Sequence, residues 1–565
     1  MALKFFSCLL TAFLLSSSGM IETSTSNRAA VAAYVKPGSN AGKLLTLELI
    51  LAVIVLACYL LHKVSYPLAL NLNCAVYLKA AQLMLNGWQP FIDFWDTNPP
   101  LIFFVNLPPA VLSAVLHLRI DVAFDICVFV VALLSVGACY LFLRGDRGGA
   151  QFIGGLLGLS CLTAATGYDF GEREHLFILL SAPFFVVRCL RWNGGARGII
   201  LSSLAGFAAA LACCIKPFFL LCLVGPECFW SVRFKTLRPI FAPEAFGFAA
   251  GICAVGLSFF QLPAQARTNL WGLLPLMSKG YAAFNCSLFT AATCENCRVL
   301  AALAVVTVTL SLILRRYSYF LVPLAIYVFC AYIGYVVQQK GWTYHALPIC
   351  AGTLMLAGIE TRLIVLLAGR GASFTEHQDQ SISTLIRDGD ARFSALLNRA
   401  LTAAIICGLF CAAYFGLKME RSWRERPAYV PVSEMEKLVA AKSAPGDFIA
   451  ILTTCGSAWP CLTQLNRTPA TRFSSLFLFP LLERIRSSTQ DQSKIDLLES
   501  QVAENIVSDL VQFRPKLIFI QIHNEFCPPD FSLVEMLNQH NLGIRCLGKY
   551  RSLAQVADYR VYERN

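Results

Sequence analysis

From residue 44 to residue 417 one apolar run follows another, and after Lys418 the pattern changes. A helix needs about 20 apolar residues to cross a bilayer. On that measure the chain predicts eleven spanning helices, over 44–62, 121–143, 151–167, 175–190, 198–214, 217–232, 243–262, 298–314, 317–336, 345–367 and 399–417. The run 99–118 is also apolar, but Asn106, Pro108 and Pro109 interrupt it. Beyond 418 the texture is shorter and mixed. Residues 447–454, 516–523 and 558–564 are strand candidates, and 493–513 carries Ile495, Leu498, Val502, Ile506 and Leu510 along one side of a helix. The expected fold is a polytopic α-helical membrane protein with a C-terminal soluble α/β domain.

Composition agrees. Hydrophobic residues make up 57% of the 565, charged residues 14%, and mean hydropathy is +0.61. A soluble domain holds about 25% charged residues. The net charge of +12 needs no nucleic acid, because cytoplasmic loops collect Lys and Arg. If 99–118 does not cross and the chain before residue 44 is cytoplasmic, the inner segments hold Lys36, Lys43, Arg144, Arg147, Arg188, Arg191, Arg197, Arg233, Lys235, Arg238, Arg315 and Arg316, among others. The longer outer loops hold fewer. If 99–118 crossed, every later loop would change sides and the rule would fail, so it is read as interfacial or re-entrant, packed on protein. Three units result: an N-terminal segment, 1–43; a membrane unit, 44–417, with a long first outer loop, 63–120; and an outer α/β domain, 418–565. The implied location is a bacterial inner membrane, multi-pass, with the C-terminal domain periplasmic. Residues 1–20 have a signal-like pattern, with Lys4, a short apolar core and then small residues. Cleavage there would invert the topology, so the segment is read as uncleaved, as interfacial, or as an extra helix.

Many of the 23 cysteines lie in apolar runs, where cysteine acts as a small hydrophobe. Cys286, Cys294 and Cys297 fall in an outer loop, and Cys455 and Cys461 flank a turn in the outer domain. Disulfides persist in such a compartment, and a structural bond or none fits better than a redox or zinc site.

The topology gathers polar motifs at the outer face. In "GWQPFIDFWDTNPPL" Asp93 and Asp96 stand three apart, with a helix start at Pro99. Upstream, 72–86 places Lys79, Gln82 and Asn86 on one face of a helix suited to the interface plane. "GYDFGEREHLF" packs Asp169, Glu172, Arg173, Glu174 and His175 into seven residues. "QQKGWTYHALP" brackets Trp342 and Tyr344 with Lys340 and His345, and "CCIKPFF" adds Lys216. Each has a plain reading as helix caps, ion pairs or snorkelling lysines. Together they offer carboxylates to activate a hydroxyl or amine and cations to hold a phosphate.

These motifs, in this order, resemble the GT-C superfamily of polyprenyl-phosphate-sugar-dependent glycosyltransferases, in the bacterial branch akin to protein O-mannosyltransferases and aminoarabinose transferase. "DFWDTNPPL", "FGEREHLF", "IKPFF" and "KGWTYHALP" carry the resemblance. It implies an inverting transfer of a sugar from a polyprenyl-phosphate carrier to an envelope lipid, glycan or protein. It further implies catalytic roles among Asp93, Asp96, Glu172 and Glu174, and substrate binding by Asp169, Arg173, His175, Lys216, Lys340, Tyr344 and His345. It fixes no cofactor and leaves a divalent metal open. One departure matters. Where relatives carry Asp-Glu before the helix tyrosine, this chain has Asn73-Cys74 before Tyr77. The competing readings are a transporter or flippase, against which stand the lack of internal repeats and the polar motifs at one face, and an inactive relative acting as an assembly partner, which Asn73 favours.

Overall fold

The computed structural model describes residues 50, 53–54, 56–61, 70–96, 98–144, 166–195, 197–283, 285–374, 434–454, 459–486, 492–524, 527–528, 531–553 and 555–565. The segment 1–43, nearly all of the expected helix 151–167, the helix 399–417 and the boundary at 418 lie outside them.

The chain is a polytopic helical membrane protein with a C-terminal α/β domain. Helix α1 (Leu72–Leu85) is capped by Asn71, whose side chain accepts from the Asn73 amide at 2.9 Å. Two short helices follow, α2 (Leu101–Val105) and α3 (Leu107–Leu116). The break between them falls at Asn106, whose Nδ2 donates to the Ile102 carbonyl at 2.8 Å. This is the interrupted run 99–118, and it packs on α1 and on α4 (Ile120–Leu143).

Further along, the described residues form α5 (Arg173–Trp192), α6 (Ile199–Ile215), α7 (Leu220–Phe234), α8 (Pro243–Phe260), α9 (Ala264–Ala283), α10 (Leu288–Thr293), α11 (Glu295–Leu314), α12 (Leu321–Val337) and α13 (Leu347–Phe374). By length and composition α4, α5, α8 and the segments 217–234 and 343–364 can each cross a membrane. Helix α9 departs from the sequence reading, which left 263–297 as loop. Its mixed composition lacks an apolar run; it packs on the C-terminal domain, and Asn269 donates to the Phe91 carbonyl of the first outer loop at 2.7 Å. Helices α6 and α8 approach closely. A Cβ on Gly206 would lie 1.9 Å from the Glu244 carbonyl oxygen, and one on Gly247 would lie 2.0 Å from that of Ser203. Small residues at such a crossing let two backbones meet.

In the C-terminal domain α14 (Glu434–Lys442) precedes β1 (Phe448–Leu452), α15 (Trp459–Gln464), β2 (Thr468–Pro469), α16 (Leu478–Arg486), α17 (Gln492–Phe513), β3 (Leu517–Gln521), α18 (Leu533–Gln539), β4 (Tyr550–Ser552) and β5 (Tyr559–Arg564). The sheet order is β2-β1-β3-β5-β4. Strand β1 runs parallel to β2 and β3, while β5 is antiparallel to β3 and β4. Alternation along the strands gives the sheet two apolar faces. Ala450, Leu452, Ile518 and Ile520 join Val502, Ile506 and Leu510 of α17. Ile449, Ile451, Leu517 and Phe519 join a cluster that reaches Val76, Tyr77, Phe91 and Phe94 of the membrane unit. One hydrophobic cluster therefore runs across both units.

At the opposite end of the bundle from that contact, charges hold α5, α7 and α8 together. Arg188 is 2% exposed. It grips Glu227 through two bonds of 2.6 Å, reaches Glu244 at 3.1 Å and donates to the Pro239 carbonyl at 2.7 Å. Arg191 forks onto Glu244, and the Trp192 indole donates to Glu227 at 3.0 Å. Removing one partner from a buried network leaves an uncompensated charge. Arg188→Ala should therefore cost about 3–5 kcal/mol, seen as a lower unfolding midpoint of the purified protein in detergent. An unchanged midpoint would contradict the clamp.

Candidate functional site

The motifs spread over 250 residues of sequence meet at one end of the bundle, around the first turn of α5. A short 3-10 turn at Gly167–Asp169 leads into Gly171, whose φ is +77°. A Cβ there would lie 2.2 Å from the Phe124 ring, so only glycine fits. Glu172 is the N-cap, and its Oε2 accepts from the Arg173 amide at 3.1 Å. The run Glu172-Arg173-Glu174-His175 is buried throughout. A capped surface loop would leave such residues wet.

Each charge finds a specific neighbour. Glu172 Oε1 accepts from Asn73 Nδ2 at 2.7 Å. Asn73 is thus an amide donor to a carboxylate. Arg173 lies over the Tyr77 ring at 5.7 Å and donates to Asn98. Asn98 donates to Asp96 Oδ1 twice, from Nδ2 at 2.6 Å and from its own amide at 2.9 Å. Ser474 Oγ reaches Asp96 Oδ2 at 3.3 Å from the C-terminal domain. Lys216 donates to Glu174 Oε1 at 2.6 Å and faces the Tyr344 ring at 5.7 Å, while His345 Nε2 stands 3.7 Å from the same Glu174 oxygen.

The other expected residues are placed differently. Asp169 accepts from Asn71 Nδ2 at 3.3 Å, tying α1 to the turn before α5. His175 Nδ1 accepts from the Gly171 amide at 3.0 Å, which puts the proton of the neutral ring on Nε2. Lys340 donates to Asn285 Oδ1 at 2.7 Å and lies over Trp342 at 5.9 Å. Asp93 stands outside the cluster. It is exposed, and its Oδ2 accepts from the Gln89 amide at 2.8 Å as the cap of a turn. Asn98, Ser474 and Asn285 belong to the site and were not singled out from the sequence. Asn98 lies inside a motif already noted. Ser474 carries no signal, because it comes from 378 residues away.

The C-terminal domain holds the Asp96 loop in place. The Trp95 amide donates to the Arg472 carbonyl at 2.6 Å, and Trp95 bridges Phe473 as a short parallel pair. Their rings meet edge-on at 5.5 Å. Arg472 is fixed in turn by Asp509, at 2.6 Å.

Several buried polar atoms at this place have no hydrogen-bond partner: Tyr77 Oη, Arg173 Nε, Glu174 Oε2 and both ring nitrogens of His345. Buried polar groups are nearly always satisfied, so such a cluster marks a place for a ligand or water. Burial also bears on the charges. It pushes Asp96 and Glu172 above the usual carboxylate range, against the pull of Asn98 on the first and Arg173 on the second. It pushes Lys216 down to about 8, with Glu174 opposing, and Lys340 also down to about 8. Among the described residues no group of three or more His, Cys, Asp or Glu is arranged to hold a metal ion. Cys286, Cys294 and Cys461 are free thiols. Cys455 and the side chain of Cys297 lie outside the described residues.

No known family model and no curated protein matches the chain. Among solved structures it is similar to ArnT from Cupriavidus metallidurans bound to undecaprenyl phosphate, with a TM-score of 0.46 and 12% identity over 93% of this chain and 98% of that one. It is also similar to the archaeal oligosaccharyltransferase AglB from Archaeoglobus fulgidus, in complex with an inhibitory peptide and a dolichol-phosphate, with a TM-score of 0.43 and 11% identity over 92% and 75% of the two chains. With so few residues shared, the chemistry has to be read from the site itself.

The Asn73–Glu172 contact makes a prediction. Asn73→Asp would set two carboxylates against each other and raise the pKa of one. The penalty, about 1.4–2.7 kcal/mol for a rise of one to two units, is complete above the raised pKa and vanishes where the proton is bound. The variant should therefore unfold at a lower temperature than wild type at pH 8 and lose most of that deficit at pH 5. An equal deficit at both would contradict it.

Proposed function

We propose that this protein is an integral membrane glycosyltransferase that moves a sugar from a polyprenyl-phosphate carrier to an envelope acceptor, on the extracytoplasmic face of a bacterial inner membrane. One observation carries the reading. A buried cluster at the end of a membrane bundle combines carboxylates, cations and aromatic rings with unsatisfied polar atoms on Tyr77, Arg173, Glu174 and His345. A phosphate bearing a sugar would satisfy both the charge and the open valences. The motif resemblance supports the lipid-phosphate class of donor.

In this reading Asp96 is the base. A general base must reach the proton it takes. Glu172 and Glu174 are both 0% exposed, and Glu174 is tied to Lys216. Asp96 is half-buried, at the seam where an acceptor could enter between loop and domain. Its carboxylate takes the acceptor proton. The acceptor atom attacks the anomeric carbon, the bond from that carbon to the phosphate oxygen breaks, and its electron pair leaves with the lipid phosphate, inverting the centre. Arg173, Lys216 and Lys340 supply positive charge where the leaving phosphate gathers negative charge. Glu174 holds Lys216, Asn73 holds Glu172, and Asn98 links Arg173 to Asp96. Asp93 takes no part.

The test is transfer from a labelled polyprenyl-phosphate sugar to envelope extract by purified protein in detergent, where no sealed bilayer exists. Wild type should transfer label, and Asp96→Asn should lose about 10²–10⁴-fold in kcat. Transfer unchanged in Asp96→Asn would overturn the assignment of the base. A wild type that transfers nothing would favour the inactive-partner reading that Asn73 suggests.

The pH dependence is a separate check. The base must be ionised, so activity is lost as pH falls through its pKa. Burial raises the Asp96 pKa, so the acid limb of kcat/KM should lie above the ordinary aspartate value of about 3.9. Full activity down to pH 4 would contradict this.

A further inference from the structure

The order β2-β1-β3 puts a switch point between two parallel strands of the C-terminal domain. The chain leaves the carboxyl ends of β1 and β3 toward opposite faces of the sheet. After β1 it reaches α15, whose Trp459 and Leu462 share a cluster with Ile449 and Phe519. Helix α15 in turn covers α1. Thr463 Oγ1 donates to the Ala75 carbonyl at 2.9 Å, and Lys79, expected in the interface plane, is 4% exposed. After β3 the chain reaches α18, whose Leu533 and Leu537 share the other cluster, with Ile518 and Ile520. Connections that diverge in this way open a crevice at the carboxyl edge, and there open α/β sheets bind their ligands.

The side chains at this edge are polar and joined to one another. Gln521, the last residue of β3, is buried. Its Oε1 accepts from Thr453 Oγ1 at 2.9 Å and from the Thr454 amide at 3.0 Å, and its Nε2 donates to Asp558 Oδ2 at 3.3 Å. Thr454 Oγ1 donates to Asn524 Oδ1 at 3.4 Å. Asp558 Oδ1 accepts from the His523 amide at 3.1 Å and lies 2.5 Å from His523 Nδ1. A carboxylate only accepts, so Nδ1 carries the proton and Nε2 of the neutral ring is an acceptor. The His523 side chain is 83% exposed, and among the described residues nothing bonds its Nε2. Asn524 Nδ2 donates to the Ile522 carbonyl at 3.2 Å, which leaves its second hydrogen open. The edge thus presents an imidazole acceptor, an amide donor and a carboxylate, on a buried base of Thr454 and Gln521.

We propose that this crevice binds a neutral glycan through the hydroxyl groups of a sugar ring, with His523, Asn524 and Asp558 as its contacts. A hydroxyl both donates and accepts. Neighbouring sugar hydroxyls can therefore donate to Asp558 and His523 Nε2 and accept from Asn524. Among the described residues no Lys or Arg is hydrogen-bonded or ion-paired to Thr454, Gln521, His523, Asn524 or Asp558. A phosphate would meet a carboxylate there with no cation to offset it. The crevice differs in this from the cluster at the head of α5, where cations gather. The two are linked through the chain after β2. The Leu476 amide donates to the Thr453 carbonyl at 2.8 Å, and Ser474, just before it, reaches Asp96. The glycan site does not rest on the transferase reading.

The test is saturation-transfer NMR on the purified full chain, in a detergent without a sugar headgroup. Methyl glycosides of mannose, glucose, galactose and N-acetylglucosamine are titrated one at a time. Wild type should bind at least one of them saturably, and neither glycerol nor inorganic phosphate should displace it. His523→Ala and Asn524→Ala should each weaken binding about fivefold, the loss of one hydrogen bond. His523 is exposed, so its variant should keep the wild-type unfolding temperature; if it does not, Asn524→Ala carries the comparison. Asp96→Asn should bind as wild type does, which separates this site from the carboxylate cluster. The proposal is overturned if none of the four glycosides binds wild type, or if phosphate or glycerol displaces the one that does. It is also overturned if a folded His523 or Asn524 variant binds as wild type does, or if Asp96→Asn abolishes binding.

Discussion

The structure turns on a contradiction at the start of α5. Glu172, Arg173 and Glu174 are consecutive, charged and buried where a membrane helix begins. Ions removed from water are tolerated only when each is paired and hydrogen-bonded. The pairing brings distant parts of the chain to one point. Asn73 comes from α1, Asn98 from the proline loop, Lys216 from the end of α6, and His345 from the turn before α13. These contacts fix how four segments sit, and the same demand leaves polar atoms that the protein alone does not satisfy.

The C-terminal domain is part of this arrangement. One face of its sheet shares a hydrophobic cluster with α1 and the Phe91–Phe94 turn, and residues 472–474 run alongside Trp95 and Asp96. Asp96 is therefore set from two directions, by Asn98 within its own loop and by Ser474 across the seam. The apolar contact is non-directional, and the polar contacts set the register. Helix α9 closes the same seam from a third side, through Asn269.

The helices over 120–143, 173–192, 217–234, 243–260 and 343–364, each able to cross a membrane, were legible because length and apolar continuity are local properties. The strands near 448, 517 and 559 were legible for the same reason, and so were the acidic motifs. What the sequence hid were partners brought together by tertiary packing. Ser474 lies in an unremarkable stretch. Lys79 and Gln82 looked like a water-facing stripe, because nothing local announces that α15 will cover them. Helix α9 lacked an apolar run since it rests on another domain. Asp93 and Asp96 looked equivalent at three residues' spacing, yet one caps an exposed turn and the other faces the cluster, a difference set by the fold of a single loop.

The central claim is that the polar cluster at the head of α5 is where a lipid-borne phosphate sits. A photoreactive polyprenyl phosphate, cross-linked to the purified protein and mapped by mass spectrometry, tests it most directly. The account predicts adducts on the peptides around residues 173–175, 216 and 340–345, suppressed by excess unlabelled polyprenyl phosphate. Adducts confined to other faces of the bundle, or unaffected by the competitor, would contradict it.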